Sequence, residues 1–365
     1  ELDTVSQSQQ VTDINSSAQD TSAQTTDEQT LEQQVQQLKR ELLQQQKLVK
    51  AYEQQLQAPS DFEQALLDKF TEQTNIKVNL VTAKADALLK RLTTEGANSP
   101  ADILITTDAG RLHRAKVAEV LQSVKSEVLE DAVPSHLRDP DGLWFGLSLR
   151  ARPIFYVKGK VEPSELSTYE ALSDEKWAGR VCIRSSGNIY NQSLVASLIA
   201  ASDVEKTESW AEKFVGNFAQ PPKGGDRDQI KAAAAGICDI AIANTYYYGG
   251  MLTSGDQDQI DAANKVAIFW PNQDDRGVHV NVSGIAMTKA AKHVDAATKL
   301  MEFLVSAESQ AWYAEVNSEF PVVEGAKQGE LMKQWGEFKA DKLNLSVLGE
   351  NNADAVKLMD RVSWK

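Results

Sequence analysis

Tyr246, Tyr247 and Tyr248 stand side by side after the apolar run 239–243, in a chain of 365 residues with eight tyrosines. A phenol in water has a pKa near ~10, so it is a poor anion at neutral pH. A small, highly charged cation can displace that proton, as bound metals do for water and thiols. The resulting phenolate is a hard, anionic oxygen donor. Ferric ion matches it best among biological cations, and three phenolates would neutralise its three charges. The same residues would also serve as an aromatic wall for an organic ligand, or simply pack. Spacing alone leaves these readings open.

Adjacent residues of a strand point to opposite faces, so neighbouring tyrosines could not converge there. In the first turn of a helix they are only ~100° apart, at ~3.6 residues per turn. Asn244 or Thr245 would cap such a turn. A second candidate donor, Tyr190, ends the stretch Ser185-Ser186-Gly187-Asn188-Ile189-Tyr190, which follows a strand-like run at 180–184. In α/β proteins ligands bind beyond the carboxyl ends of strands, so Tyr190 and the 246–248 cluster should share one rim. The loop before Tyr190 opens a helix whose first backbone amides could hold a small anion. A plain helix cap accounts for that loop equally well.

Around these residues the sequence alternates strand-like and helix-like segments. Helices are expected at 62–71, 85–94, 191–201, 229–235 and 295–306, and strands at 75–81, 101–107, 180–184, 238–243 and 278–283. Alternation of this kind implies an α/β fold with mainly parallel sheets. Two units of similar size should enclose a ligand cleft. Upstream, residues 1–27 are polar and read as a disordered tether. Leu31, Val35, Leu38, Leu42, Gln45, Val49, Tyr52 and Leu56 follow a heptad rhythm, interrupted by Gln45 alone. That rhythm predicts a coiled-coil helix over 28–57, ended by Pro59.

Net charge is −14, of which residues 1–57 carry −5. An acidic body argues against nucleic acid and anionic membrane surfaces as partners. No apolar run approaches the ~18 residues of a membrane span. The chain begins at Glu1 rather than Met, which fits a processed N-terminus. Its two cysteines, Cys182 and Cys238, are either one disulfide or two buried hydrophobes. The bridge is expected if their strands are neighbours. The four histidines are scattered, and of these His279 lies nearest the expected hinge. No Gly-x-Ser-x-Gly elbow, His-Glu-x-x-His or P-loop is present, so the expectation is not an enzyme.

From about Pro59 onward the chain resembles periplasmic ferric-ion-binding proteins, the solute-binding components of iron ABC transporters. The resemblance rests on Ser99-Pro-Ala-Asp-Ile-Leu, Gly142-Leu-Trp-Phe-Gly, Arg150-Ala-Arg-Pro-Ile-Phe-Tyr, Arg184-Ser-Ser-Gly-Asn-Ile-Tyr-Asn-Gln-Ser and Ala243-Asn-Thr-Tyr-Tyr-Tyr-Gly. It implies a two-lobed periplasmic-binding-protein fold of type II, with hinge strands near 148–156 and 279–283. Residues 58–150 and 279–325 would form the N-terminal lobe, and 151–278 and 326–365 the C-terminal lobe. It further implies that Tyr190, Tyr246 and Tyr247 bind Fe(3+), and that Arg152, Ser186, Gly187 and Asn244 hold a synergistic anion such as carbonate. Tyr248 is read as packing or rim. An ABC transporter permease is the implied partner and the bacterial periplasm the implied location, with tethering through the N-terminal segment.

The sequence departs from the family at its start. Many members complete the metal site with a His and a Tyr from a Tyr-Ser-x-Arg-His-Tyr-like segment. Here Tyr52 matches its first tyrosine, but Leu56 and Gln57 stand at the His and Tyr positions. The heptad helix is expected in place of the family's first strand. A second function therefore stands beside iron delivery: a diverged scaffold that self-associates through 28–57, with weak or lost metal binding or another small ligand.

Overall fold

The computed structural model describes residues 34–40 and 59–365. The chain divides into two units, Glu1–Asp61 and Phe62–Lys365. Of the first, residues 34–40 form a helix exposed along its whole length, with Leu38 at 63% exposure. The rest of the heptad segment, including Tyr52, Leu56 and Gln57, lies outside the described residues, as does the polar stretch 1–27.

The second unit is built on two sheets. The first joins β1 (Ile103–Thr107), β8 (Val280–Thr288), β3 (Phe145–Ala151) and β9 (Phe320–Pro321) in that order, with β2 (Leu121–Gln122) also on β8. The second runs β5 (Val181–Cys182), β6 (Ile240–Ile242), β4 (Ile154–Val157), β7 (Val266–Phe269). Two-lobed architecture with helices packed on both sheets is thus present. The expectation of mainly parallel sheets is overturned: among the named strands β5 and β6 alone pair in parallel, and every other pairing is antiparallel. The cause is that β8 and β4, each central in its sheet, run against their neighbours.

A second correction concerns 75–81, which forms no strand ladder. Its backbone is non-helical, and Ile76, Val78 and Leu80 are partly buried while Lys77 and Asn79 are exposed. The period-two pattern is therefore real, but it marks a segment packed by one face rather than a paired strand.

The chain passes between sheets at Arg152-Pro153, where β3 gives way to β4, and again over 270–279, between β7 and β8. These crossings are tied together: the Arg152 N–H donates to the His279 carbonyl at 3.0 Å. Tyr169 closes the same knot, its hydroxyl donating to the Arg152 carbonyl at 2.7 Å and accepting from the His279 N–H at 3.2 Å. Burial first, then the charges of Arg152, Arg276 and Arg150, push the His279 imidazole down to about 3, so it is neutral in this hinge.

Cys182 and Cys238 form a disulfide with Cα atoms 5.9 Å apart, linking the end of β5 to the approach to β6. This fixes the two strands from whose ends Tyr190 and Tyr246 emerge. The C-terminus grips the same region. Trp364 is buried among Trp210, Phe214 and Phe218, and its indole N–H donates to the Arg184 carbonyl at 3.0 Å.

Helix Ser346–Glu350 packs on helix Ala109–Val117 through Gly349, where an added Cβ would overlap the side chain of His113. The nearest atom is the His113 Cβ, which no side-chain rotation moves, so only a backbone shift could relieve the overlap. Gly349→Ala should therefore destabilise the protein by roughly 1–3 kcal/mol, the usual cost of overpacking. Urea unfolding at matched m-value checks this, and an unchanged midpoint would refute it.

Candidate metal centre

Tyr190 lies in the first turn of helix Ile189–Ala201, capped by Asn188, whose Oδ1 accepts from the Tyr190 N–H at 3.1 Å. Tyr246 and Tyr247 lie in the first turn of helix Thr245–Leu252, with Asn244 at the N-cap. The helical placement brings adjacent tyrosines onto one side. Their ring centroids are 4.2 Å apart, at 34°. Tyr246 and Tyr190 meet hydroxyl to hydroxyl at 3.1 Å, across 56 residues of sequence. The Tyr247 hydroxyl interacts with both of them. Three phenol oxygens therefore converge at the carboxyl ends of β5 and β6.

Tyr248 is not part of this cluster. It is buried against Phe155 and Trp335, with ring centroids at 5.0 and 5.8 Å.

The surroundings favour charge on the phenols but do not supply enough of it. The Arg150 and Arg184 guanidiniums lie 5.5 and 5.6 Å from the Tyr190 ring centre, and Arg227 lies 5.7 Å from that of Tyr247. Against this, burial raises the Tyr246 phenol well above its ordinary range, and the neighbouring phenols of Tyr190 and Tyr247 raise it further. Burial likewise lifts Tyr247 to about 12. Both hydroxyls stay protonated at neutral pH until a cation displaces the proton. An organic ligand would leave them so. A trivalent cation would supply what is missing.

Beneath the phenols lies a buried polar network. Asp226 opens helix Asp226–Ala234, and its Oδ2 accepts from the Asn244 N–H at 3.1 Å and from Arg152 Nη1 at 3.2 Å. Arg184 Nη1 lies 3.7 Å from Asp226 Oδ1. Arg152 is 1% exposed, and its Nη1 also donates to Asn244 Oδ1 at 2.9 Å while Nη2 donates to Asn191 Oδ1 at 2.7 Å. Only its Nε, also buried, lacks a partner among the described residues. The side chains of Arg152 and Asn244 thus hydrogen-bond to each other within this network.

Of the other two residues expected to hold an anion, Ser186 uses its N–H on the Trp364 carbonyl at 3.3 Å, whereas Gly187 is exposed at the helix entrance. Sequence reasoning missed Asp226, Arg150, Arg184 and Arg227. Placing the 229–235 helix three residues late hid Asp226. A start signal was present, since Asp228 follows Gly225 by three residues and accepts its N–H at 2.6 Å. Among the described residues no group of three or more His, Cys, Asp or Glu side chains is placed to hold a metal ion.

The model for bacterial extracellular solute-binding proteins matches residues 65–340. The chain belongs to this family. It is 52% identical over 300 residues to the iron uptake protein A1 of Synechocystis, covering 82% of this chain and 83% of that protein. Its fold matches that of the Trichodesmium protein FutA (IdiA) in complex with iron and citrate ligands, with a TM-score of 0.82, 52% identity, and 84% and 96% of the two chains covered. The ferric binding protein of Campylobacter jejuni gives a TM-score of 0.79 at 42% identity, covering 83% and 96%.

Proposed function

We propose that this solute-binding protein takes up ferric iron between its lobes, on the phenolates of Tyr190, Tyr246 and Tyr247, and delivers it to the permease of an ABC importer. The observation that carries this reading is the meeting of three phenol oxygens, with 3.1 Å between Tyr190 and Tyr246, in a site without any other cluster of anionic donors among the described residues. The relatives' iron uptake and iron-bound complex support the choice of cargo. Binding rather than catalysis is the role proposed, in keeping with relatives named as iron uptake and ferric binding proteins.

Arg150, Arg184 and Arg227 surround the phenols with positive charge, which suits three phenolates and leaves capacity for a small anion beside the metal. The exposed backbone at Gly187 is its natural entry point. The disulfide suits the oxidising periplasm. Among the described residues no helix is long and apolar enough to cross a membrane.

Titration of the purified protein with ferric citrate, with and without bicarbonate, tests the reading. A red-orange phenolate-to-iron band that saturates at one iron per chain is expected. A protein that stays colourless while folded would overturn it.

A further inference from the structure

We infer that Arg152 is a positioning residue that sets the separation of the iron-binding phenols, bolting together the first turns of the two tyrosine-bearing helices. The inference rests on the ferric reading of the site. Its basis is where the guanidinium reaches. One nitrogen, Nη2, holds Asn191, the residue after Tyr190, at 2.7 Å. The other, Nη1, holds Asn244, the N-cap of the Tyr246 helix, at 2.9 Å. A planar guanidinium fixes the angle and distance between its donors, so the two helix entrances are held in one geometry.

Each end of this bolt is itself anchored. Asn191 Nδ2 donates to the Arg184 and Ser185 carbonyls at 2.7 and 3.2 Å, so the loop before Tyr190 moves with it. Asn244 is held through its backbone by Asp226 at 3.1 Å, and Asp226 also neutralises Arg152 at 3.2 Å. The phenols are therefore spaced by a charged core one layer below them, not by their own contacts.

The backbone of Arg152 adds a second consequence. Its N–H and carbonyl belong to the hinge knot, bonded to the His279 carbonyl at 3.0 Å and the Tyr169 hydroxyl at 2.7 Å. The end of β3 also touches the tyrosine helix directly, as the Ala151 N–H donates to Thr245 Oγ1 at 3.3 Å. A change of angle at the crossing thus displaces the root of the side chain that spaces the donors. Opening of the lobes and loosening of the phenol cluster become one motion.

Arg152→Lys keeps the charge and removes the fork. The folded variant should bind ferric ion with a shifted and weaker phenolate-to-iron band, and release it to a competing chelator at least about tenfold faster, the lower end for outer-layer residues of metal sites. The double variant Arg152→Gln/Asp226→Asn removes both buried charges together. It should show the same change, and serves if Arg152→Lys does not fold. A band and release rate equal to wild type in either folded variant would overturn the inference, as would a lowered melting temperature with an unchanged band. If the wild type itself gives no band, the ferric reading has failed. The inference is then decided by the Tyr190–Tyr246 hydroxyl separation in a crystal of the apo variant, where a retained 3.1 Å would overturn it.

Discussion

Tyr246→Phe/Tyr247→Phe should abolish the visible iron band and weaken ferric binding by at least ~10⁴-fold. Loss of an outer-layer partner in a metal site costs roughly 10–100-fold. Removing a ligand itself costs more than the top of that range, and here two are removed. Folding should survive, because a phenol buried at high pKa is replaced by a ring of the same shape, and the stacked pair 4.2 Å apart keeps its contact. Among the described residues the two hydroxyls interact with one another and with Tyr190, so no buried donor there outside the cluster depends on them. Competition against a chelator of known ferric affinity, alongside thermal unfolding, checks both halves. Retention of tight binding by the folded double variant would mean that the iron sits elsewhere. Tyr248→Phe is the matched control: its ring packs on Phe155 and Trp335 away from the cluster, so binding should not change.

Much of this site could be read from residue types. Two adjacent tyrosines can converge only in the first turn of a helix, and the pair does lie there, after Asn244. Tyr190 could be placed on the same rim because both runs leave strand ends. The layer below was not legible. Arg150 and Arg152 are two residues apart on the crossing strand, yet one faces Tyr190 and the other the Asp226 network. A period of two puts them on one face. The break at Pro153, where the chain changes sheets, separates what they touch. No local pattern encodes which helix entrance a buried guanidinium will meet 39 or 92 residues further on.

Fold reading succeeded where the signal was local. Helices at 85–94, 191–201 and 295–306 were placed within a few residues: the first and last each carry an apolar stripe, and 191–201 is a largely apolar run buried on nearly every face. Strand direction failed because it is a long-range property. β8 pairs with β1, β3 and β2, which precede it by more than 125 residues, and nothing within 278–283 announces that it runs against all three. The family resemblance supplied the two lobes, but alternation alone had suggested parallel sheets. Segment 75–81 shows the complementary limit: an alternating pattern reports one buried face, not a hydrogen-bonded partner.

Proton release gives the second large effect and counts the ligands independently. Burial lifts Tyr247 to about 12 and raises Tyr246 well above its ordinary range, so at neutral pH both enter the metal site from the protonated form. Each phenol that becomes a ligand gives up one proton, and affinity then rises about tenfold per pH unit for each proton released. With three phenolates the ferric binding constant should rise on the order of 10³-fold per pH unit below the phenol range, after correction for the competing chelator and ferric hydrolysis. The sign is fixed: acid favours the free phenols, so falling pH releases iron and rising pH retains it. Tyr247→Phe should lower the slope by one, because one proton fewer is displaced. Chelator competition at several pH values between 6 and 8 measures it. A wild-type slope of two, unchanged in Tyr247→Phe, would remove Tyr247 from the ligand set and leave Tyr190 and Tyr246, the pair already joined hydroxyl to hydroxyl, to hold the metal.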